Sequence, residues 1–388
     1  MTQTTQHPFA ALLAHAPALP TIRDEDWRFS PLRAITAQPW AAPKVAATSL
    51  DAPDLGGPRL VFLSGKLDES LSRLKALPAG LTLVRDLPAR RLSESDRPFG
   101  ALNDSLARDG FVLRVARDAR IGQPVQIVYA GSDGASFARV SIELEQGAEL
   151  ALHEHFCGTG RHFLGSITEA VIGANASLHI ARVIADSSQA VHVGEFCARL
   201  GRDARLVLDS IALQAEFARS ELRIELDGEG ASCELRGLAL ARANSLFDHQ
   251  IHVDHAKPHT TSRQLFRNVL DDNSRGVFSG RVIVRPGASG TDATQQNNNL
   301  LLSDNARVDT KPMLEIYTDE VKCSHGATSG QLDANAVFFL RSRGLDEATA
   351  RHLLTFAFAN EIIEHIAVPG VQQWLSTRMG ERFHGLAE

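Results

Sequence analysis

Cysteine is scarce in this chain of 388 residues, and its placement excludes two common kinds of stabilised fold. The four cysteines, Cys157, Cys197, Cys233 and Cys323, form no CxxC pair and no regular disulfide framework. We therefore do not expect a structural zinc site of the paired-cysteine kind, and reduced thiols fit a reducing compartment.

Long apolar runs and basic clusters are also missing. The stretch PFAALLAHAPALP near the start is short, is broken by Pro17 and Pro20 and has no basic leader, so we expect an amphipathic helix rather than a signal peptide or a membrane span. The net charge of -6 comes from well-mixed acidic and basic residues, which is not the pattern of a phosphate-tracking surface. We expect a cytoplasmic protein that binds neither membrane nor nucleic acid.

The sequence does contain a repeat. From about residue 145 onward, Gly, Asn or Asp followed by Ala and a β-rich run recurs in GAELALHEHF, GANASLHIARVI, GRDARLVLDSIAL and GEGASCELRGLAL. Leu150, Leu178 and Leu206 occupy equivalent places 28 residues apart, and Cys233 follows 27 residues later. A second set of β-rich runs lies between these, so each unit contains two strands with connections too short for a crossover helix.

Repeats of this kind predict a mainly β solenoid, in which stacked units bury an apolar face that one unit cannot bury alone. We interpret the middle of the chain as a β-helix of two sheets face to face. A conventional β-sandwich is the alternative, but sandwich strands have no reason to recur at a fixed spacing. Period-two patterns predict the inward residues: Leu150, Leu152 and Phe156 on one strand, and Leu206, Leu208 and, after one irregular step, Ile211 on another.

The flanks differ in character, and we divide the chain into three parts. Residues 1–105 mix helical patterns with the short strand RLVFL, residues 106–330 form the β-helix core, and residues 331–388 are helical. The segment FGALNDSLARDG predicts a short helix that is followed by Gly110. Asp333 and Asp346 are expected to cap two C-terminal helices, and a final short helix surrounds Trp374. One face of the second helix is predicted to contain Leu353, Leu354, Ala357, Phe358 and Ile362.

The segment DEVKCSHGATSGQLD, residues 319–333, holds the main candidate residues. If the chain before Gly326 is extended, Val321, Cys323 and His325 point to one face. A thiol and an imidazole on one face can coordinate metal, activate a thiolate or simply pack. Burial as a small apolar side chain is the commonest fate of a free cysteine. A histidine on the face of a terminal strand has few structural duties, so His325 is the favoured site and metal residue.

Other polar clusters have weaker functional patterns. Three residues share one strand face that can hold metal but is predicted to be solvated: His153, His155 and Cys157. Four irregularly spaced histidines are predicted to lie at the surface or an interface: His249, His252, His255 and His259. Three asparagines are expected in a polar ladder along the coils: Asn297, Asn298 and Asn299. Three further residues are predicted to be turn and interface residues: Tyr317, Asp319 and Glu320.

Residues 271–366, which include DDNSRGVFSG, VKCSHGATSGQLD and AVFFLRSRGL, resemble the SufB and SufD family of the SUF system for iron-sulfur cluster assembly. The similarity extends more weakly to DEDWRFSPL and ALNDSLARDGFVLRV near the N-terminus. The KCSHGAT form, the chain length and the helix AVFFLRSRGL are more similar to the SufD branch than to SufB. The resemblance implies a right-handed parallel β-helix between helical terminal regions.

For function, the resemblance implies a non-catalytic scaffold subunit that pairs with SufB through the terminal strands of both β-helices. It places His325 at the SufB interface, where a transient cluster or iron, rather than a permanent cofactor, is bound. Iron accepts thiolate, imidazole and carboxylate ligands, so Cys323 is a second candidate. The C-terminal helices are implied to bind the ATPase SufC, with four candidate residues: Leu353, Phe356, Phe358 and Ile362. The segment FLSGKLDES does not fit GxxxxGK[ST] and no other P-loop occurs, so we do not expect this chain to hydrolyse ATP.

Two other functions stay open. An isolated chain can form a homodimer that holds a metal or cluster between two copies of Cys323 and His325, because an unpaired terminal strand is an open template. A β-helix enzyme acting on polysaccharide is the weaker alternative. Its groove needs stacking aromatics and paired carboxylates, and the chain has only 3 Trp and 2 Tyr.

Overall fold

In a computed structural model, described for residues 19–37, 40, 42–43, 50–75, 77–92 and 97–384, two β-sheets lie face to face. From residue 110 onward, consecutive strands alternate between the sheets, and each strand pairs in parallel with the strand two places along the chain. This arrangement is a β-solenoid and confirms the predicted fold class. Antiparallel pairs occur only at the N-terminal end of the described sheets.

The strands of the described residues divide into a ten-stranded sheet A and a nine-stranded sheet B. Sheet A contains β1 (Arg59–Leu63), β2 (Lys66–Leu67), β5 (Val125–Gly131), β7 (Glu149–Gly158), β9 (Ser177–Ala185), β11 (Arg205–Gln214), β13 (Ser232–Ala241), β15 (Thr261–Leu270), β17 (Asp292–Leu301) and β19 (Lys322–Gly330). Sheet B contains β3 (Leu81–Arg85), β4 (Gly110–Val115), β6 (Gly134–Leu144), β8 (His162–Ile172), β10 (Val191–Leu200), β12 (Phe217–Leu226), β14 (Leu246–His255), β16 (Arg275–Val284) and β18 (Arg307–Ile316).

Five α-helices lie at the two ends of the chain. They are α1 (Arg33–Thr36), α2 (Pro98–Leu106), α3 (Ala334–Ser342), α4 (Glu347–Ile363) and α5 (Pro369–His384) among the described residues. The predicted short helix before Gly110 corresponds to α2. The predicted caps are confirmed, because Asp333 accepts a hydrogen bond from Asn335 N and Asp346 accepts one from Thr349 N. The final helix is longer than expected, at 16 residues.

The 28-residue period arises from residues stacked in register. Leu150 pairs with Leu178, Leu178 with Leu206, and Leu206 with Cys233, so the predicted stack is confirmed. The recurring Gly, Asn or Asp has a separate cause. One turn of each coil places a residue at positive φ, where glycine, asparagine and aspartate are tolerated best. These turn residues are Gly147, Asn175, Asp203, Gly230, His259, Gly290 and Glu320.

Both faces of the sheets are buried over much of the solenoid before the last coil, because the terminal segments cover parts of the outer faces. The outer face of sheet A packs against Ile362, Val371 and Leu375 of α4 and α5. The outer face of sheet B packs against Trp27, Ile35 and Leu102. Ile211 belongs to the outer cluster of sheet A, so its predicted inward orientation was wrong. The register of the strand is regular from Leu206 to Ala212, and its irregular step comes later, between Ala212 and Gln214.

The predicted apolar face of the α4 helix also needs correction. The residues of α4 that are buried are Ala350, Thr355, Ala359, Ile362 and Ile363. The predicted face is confirmed at Ile362, which is buried, and at Phe358, which packs against the same cluster, but Leu353 is 48% exposed and Ala357 is exposed. Most of the predicted amphipathic helix PFAALLAHAPALP lies outside the described residues.

Candidate functional site at the open end of the solenoid

The last coil of the solenoid, β18 with β19, has an uncovered edge. No further strand pairs with β18 or β19 among the described residues. Cys323 is half-buried, whereas the other side chains of β19 are exposed. An uncovered pair of strand edges is a template for strand addition, and Pro312 in β18 follows the rule that proline within sheets is confined to edge positions.

The backbone groups left unpaired on β19 belong to the residues whose side chains face inward. Lys322 N donates to Thr291 O of the preceding coil. Successive strand residues alternate both in side-chain direction and in the edge toward which their N–H and C=O groups point. The N–H and C=O groups of Cys323 and His325 therefore point toward the open edge. A strand added there bonds to these two residues.

Cys323 and His325 lie in two interior columns, as their predicted shared face requires. Cys323 follows Ala293 in register, and His325 follows Gln295. Ala293 and Gln295 are both buried inside the solenoid. Val321 packs with Cys323 in a cluster formed by Val282, Val284, Ala288 and Ala293. Tyr317 and the bend at Asp319 and Glu320 connect β18 to β19, which confirms their placement at a turn.

The Cys323 thiol is not activated in the isolated chain. Partial burial raises the pKa of Cys323, so the thiol is protonated at neutral pH. Burial raises the pKa of Cys157 and of Cys233 to about 12, and Cys197 shifts in the same direction. Of the four cysteines, Cys323 is the one at the open end, and a nearby cation or metal is needed to form its thiolate.

The predicted polar ladder is confirmed, with Asn297 and Asn299 on the inner face and with Asn298, which accepts a hydrogen bond from Thr328 Oγ1 of the next coil at 2.9 Å, on the outer face. Asn268 Nδ2 donates to Asn299 Oδ1 at 2.6 Å, and Asn299 Nδ2 donates to Asn297 Oδ1 at 2.8 Å. Asn297 and Asn299 are buried inside the solenoid, whereas Asn298 is in register with Arg267 on the outer face. Interior amides therefore line the coil that lies beneath the open end.

The prediction that the histidines on β7 lie on a solvated face is wrong. His153 and His155 are fully buried under the C-terminal helix α5, and the His155 ring lies edge-on to Trp374 at 5.1 Å. His153 Nε2 is 3.2 Å from His155 Nδ1, and His155 Nε2 is 2.7 Å from Asp51 O. Burial lowers the pKa of His153 to about 4. Both rings are packing residues between sheet A and α5.

The second histidine cluster also differs from its prediction. His249 and His255 point into the solenoid instead of lying at the surface. His249 Nε2 is 3.1 Å from Ser210 Oγ, and His255 Nε2 is 2.9 Å from Ser262 Oγ. Burial lowers the pKa of each to about 4, so both are neutral at physiological pH. His259 is exposed at the positive-φ turn.

The C-terminal helices carry exposed apolar side chains, of which the sequence prediction singled out Leu353 but not the two phenylalanines of α3. Phe338 is 72% exposed and Phe339 is 56% exposed on α3, and Leu353 on α4 is 48% exposed. Phe356 and Phe358 are half-buried, and Ile362 is fully buried against sheet A. Of the four proposed docking residues, Ile362 is therefore a core residue. Two adjacent phenylalanines in a helix cannot both face one core, and this was the available sequence signal.

A groove of about 1050 Å³ runs beside α5 along the turns between the sheets. It is lined by side chains of both charges, including Arg161, Asp186, Arg242 and Arg378. Arg161 is paired with Glu216, and Arg378 with Asp51. Neither Cys323 nor His325 lines this groove, so it is separate from the open end.

The described residues contain no group of three or more His, Cys, Asp and Glu side chains arranged to hold a metal ion. Within the same part of the chain, none of the helices has the length and apolar character needed to cross a bilayer.

Residues 127–358 match the SufBD core domain of the SUF system for FeS cluster assembly. The chain is 32% identical to the iron-sulfur cluster assembly protein SufD of Escherichia coli, over 95% of this chain and 90% of that protein. It is 31% identical to an iron-sulfur cluster assembly SufBD family protein of Synechocystis, over 94% of this chain and 87% of that protein. It is 26% identical to SufD of Bacillus subtilis, over 71% of this chain and 64% of that protein.

Proposed function

The chain belongs to the SufBD family of iron-sulfur cluster assembly proteins, and we propose that it is the SufD-like, non-catalytic scaffold subunit of a cytoplasmic SUF complex. In this proposal the open edge pairs with SufB, and the C-terminal helices bind the ATPase SufC. The nascent cluster, or the iron from which it is built, is cargo at the SufB contact and not a permanent cofactor. The observation that carries the proposal is the presence of Cys323 and His325 at an unpaired strand edge.

Strand addition to β19 brings partner residues directly over the two candidates. Because each inward residue stacks on the inward residue of the neighbouring strand, the partner's inward side chains extend the columns of Cys323 and His325. A contact of this kind converts the exposed His325 into a buried group. Burial between two chains removes water from the imidazole and from any metal that it binds.

A ligand set that includes Cys323 and His325 needs donors from a second molecule. These residues supply one thiol and one imidazole, whereas simple iron-sulfur clusters are held by four protein ligands. The partner strand is the natural source of the remaining donors. Coordination also favours the Cys323 thiolate, whose formation is disfavoured in the isolated chain.

The SufC contact is proposed for three exposed apolar side chains of α3 and α4, Phe338, Phe339 and Leu353, which we call the helical patch. Large apolar side chains are seldom exposed at adjacent positions unless a partner covers them. Truncation after Gly344 is an unsuitable test, because it removes α4 and α5 and uncovers the apolar outer face of sheet A. Substitutions within the helical patch avoid this problem.

The test of the SufB contact uses His325→Ala in the chain co-expressed with SufB and SufC. We expect the complex to assemble, because backbone pairing does not need the imidazole, while iron and sulfide content of anaerobically purified complex falls. Cys323→Ala should have a smaller effect and cost about 1 kcal/mol of stability, since the thiol is partly packed. The proposed role of His325 is contradicted if the His325→Ala complex forms clusters at the wild-type rate. It is also contradicted if the His325→Ala chain fails to assemble with SufB and SufC.

A homodimeric scaffold is the second candidate, because the same edge is uncovered in the chain alone. Light scattering of the isolated chain, together with its iron and sulfide content, distinguishes the two. A stable dimer that retains iron and sulfide without SufB supports the homodimeric scaffold. A chain that acquires them only in the presence of SufB supports the heteromeric complex.

A further inference from the structure

We infer that Gln295, held by Gln264, is a positioning residue for His325, and that it accepts a hydrogen bond from one imidazole N–H when a partner strand covers β19. This inference rests on the proposed function of the open edge. It adds two interior residues of the chain to the site and specifies the tautomer in which His325 meets its ligand.

The column that contains His325 changes from apolar to polar over the last three coils. In register, its residues are Leu152, Ile180, Leu208, Leu235, Gln264, Gln295 and His325. The first four are fully buried hydrophobic residues, as the interior of a solenoid requires. Gln264 and Gln295 are 2% and 1% exposed, so two amides are buried where leucine fits the fold.

The two amides form a chain directed along the column. Gln295 Nε2 donates to Gln264 Oε1 at 2.9 Å. Gln295 Oε1 is buried and has no hydrogen-bond partner among the described residues, and at the other end of the pair the Gln264 Nε2 donor is likewise buried and unpartnered. Leaving a buried polar atom unsatisfied costs about 1–3 kcal/mol, so this acceptor is poised for a donor that the isolated chain does not supply.

The interior is shaped to hold the Gln295 amide. On sheet B, a Cβ atom added to Gly280 would lie 2.1 Å from Gln295 Nε2, so the absence of a side chain at this position leaves the space that the amide fills. The amide is thus confined from two sides, by Gln264 along the column and by Gly280 across the interior. A confined acceptor can orient a neighbouring group.

His325 is the next residue along the column and carries the missing donor. A neutral imidazole has one N–H and one nitrogen lone pair, and a hydrogen bond from the N–H to a fixed acceptor decides which nitrogen keeps the lone pair. If the N–H donates to Gln295 Oε1, the other nitrogen is free to bind cargo or to accept a proton. Acceptors of this kind typically change metal affinity about 10–100-fold when removed.

The experiment replaces both amides by leucine, Gln264→Leu with Gln295→Leu, in the complex with SufB and SufC. Leu208 and Leu235 show that leucine fits this column, so we expect the double variant to fold with an unchanged or raised melting temperature. Cluster content should fall about 10-fold or more. Nitrogen-15 NMR of labelled histidine should show one His325 tautomer in the wild-type complex and a mixture in the variant.

A matched control changes another interior column, two inward positions along the strands from Gln295, through Asn268→Ala with Asn299→Ala. Alanine occupies this column in preceding coils at Ala212 and Ala239, and the control removes two interior amides without altering Gln295. We expect it to keep the wild-type tautomer of His325. Adding the two leucine substitutions to His325→Ala should cause no loss of cluster beyond that of His325→Ala alone, because Gln295 acts through the imidazole.

The outcomes separate this inference from the proposed function. If His325→Ala loses cluster while the leucine variant keeps wild-type cluster content and tautomer, the positioning role is wrong and the proposed function stands. If His325→Ala itself builds clusters at the wild-type rate, the proposed function is wrong, whatever the leucine variant does.

Discussion

Removing the two phenylalanines of the helical patch tests the proposed SufC contact most directly. Phe338 and Phe339 are exposed on α3, and neither belongs to the buried clusters beneath the helices. Replacing both with glutamine keeps good helix formers in α3 while removing the apolar surface. The interaction of the Arg343 guanidinium with the Phe339 ring, 5.1 Å apart, is lost as well, but it is exposed and worth little.

The size of the effect follows from the exposed fractions. Burying a whole phenylalanine side chain is worth about 1.5–3 kcal/mol, so covering 72% of one and 56% of the other is worth roughly 2–4 kcal/mol. The double variant should therefore bind SufC about 30- to 700-fold more weakly. Its own unfolding free energy should change by less than about 1 kcal/mol, because both positions face solvent.

Calorimetric titration with SufC measures the first quantity, and urea unfolding followed by circular dichroism measures the second. A crossed control uses Ile316 and Tyr317, which are 42% and 57% exposed at the open end. Replacing them with threonine and serine should weaken SufB pairing and leave SufC binding intact. Wild-type SufC affinity in the Phe338→Gln, Phe339→Gln variant refutes the assignment of the helical patch.

Two stability predictions follow from the interior. Arg182→Met leaves the buried Glu154 carboxylate without its ion-pair partner and should lower the free energy of unfolding in urea by about 3–5 kcal/mol. Adding Glu154→Gln should restore most of that stability, because the uncompensated charge is then removed. Equal losses of stability in the single and double variants contradict the pairing. His249 has a folded-state pKa of about 4, below its unfolded value of about 6.5, so its contribution to stability is present above pH 6.5 and is lost as the pH falls toward 4. His249→Phe should therefore reduce the loss of stability between pH 7 and pH 5 by about 2 kcal/mol, and an unchanged pH dependence is inconsistent with a buried neutral ring.

The solenoid could be predicted from the sequence because its period has two independent causes. Inward leucines and positive-φ turn residues both recur once per coil, so the pattern at Leu150, Leu178 and Leu206 survives changes elsewhere in the unit. The capping aspartates were predictable for a similar reason, since a helix cap depends only on local contacts.

The direction of individual side chains was harder to predict, because helices cover the outer face of sheet A. A strand buried on both faces loses the alternation of apolar and polar residues on which period-two reasoning depends. Ile211 and His153 were misplaced for this reason: both are buried on the outer face under the C-terminal helices. His325 was found through the family resemblance, and its neighbour Gln295 could be found only once the register was known.

The interior column that ends at His325 contains two buried amides that the stability of the isolated chain does not explain. A chain selected only for stability as an isolated solenoid has no use for Gln264 and Gln295. In the two coils before Gln264, Leu208 and Leu235 fill the same column without leaving a buried amide oxygen unpaired. Unpartnered buried atoms also occur elsewhere in the described residues, as at Arg182 Nη2, but the Glu154 carboxylate that pairs with Arg182 also accepts hydrogen bonds from Tyr129 and Thr168 within the same chain. The Gln264 and Gln295 pair has one internal hydrogen bond, and its unpaired acceptor lies one coil before His325, the residue of this column that a partner strand would cover. Their cost in the free chain is explained if the last coil is completed by another molecule.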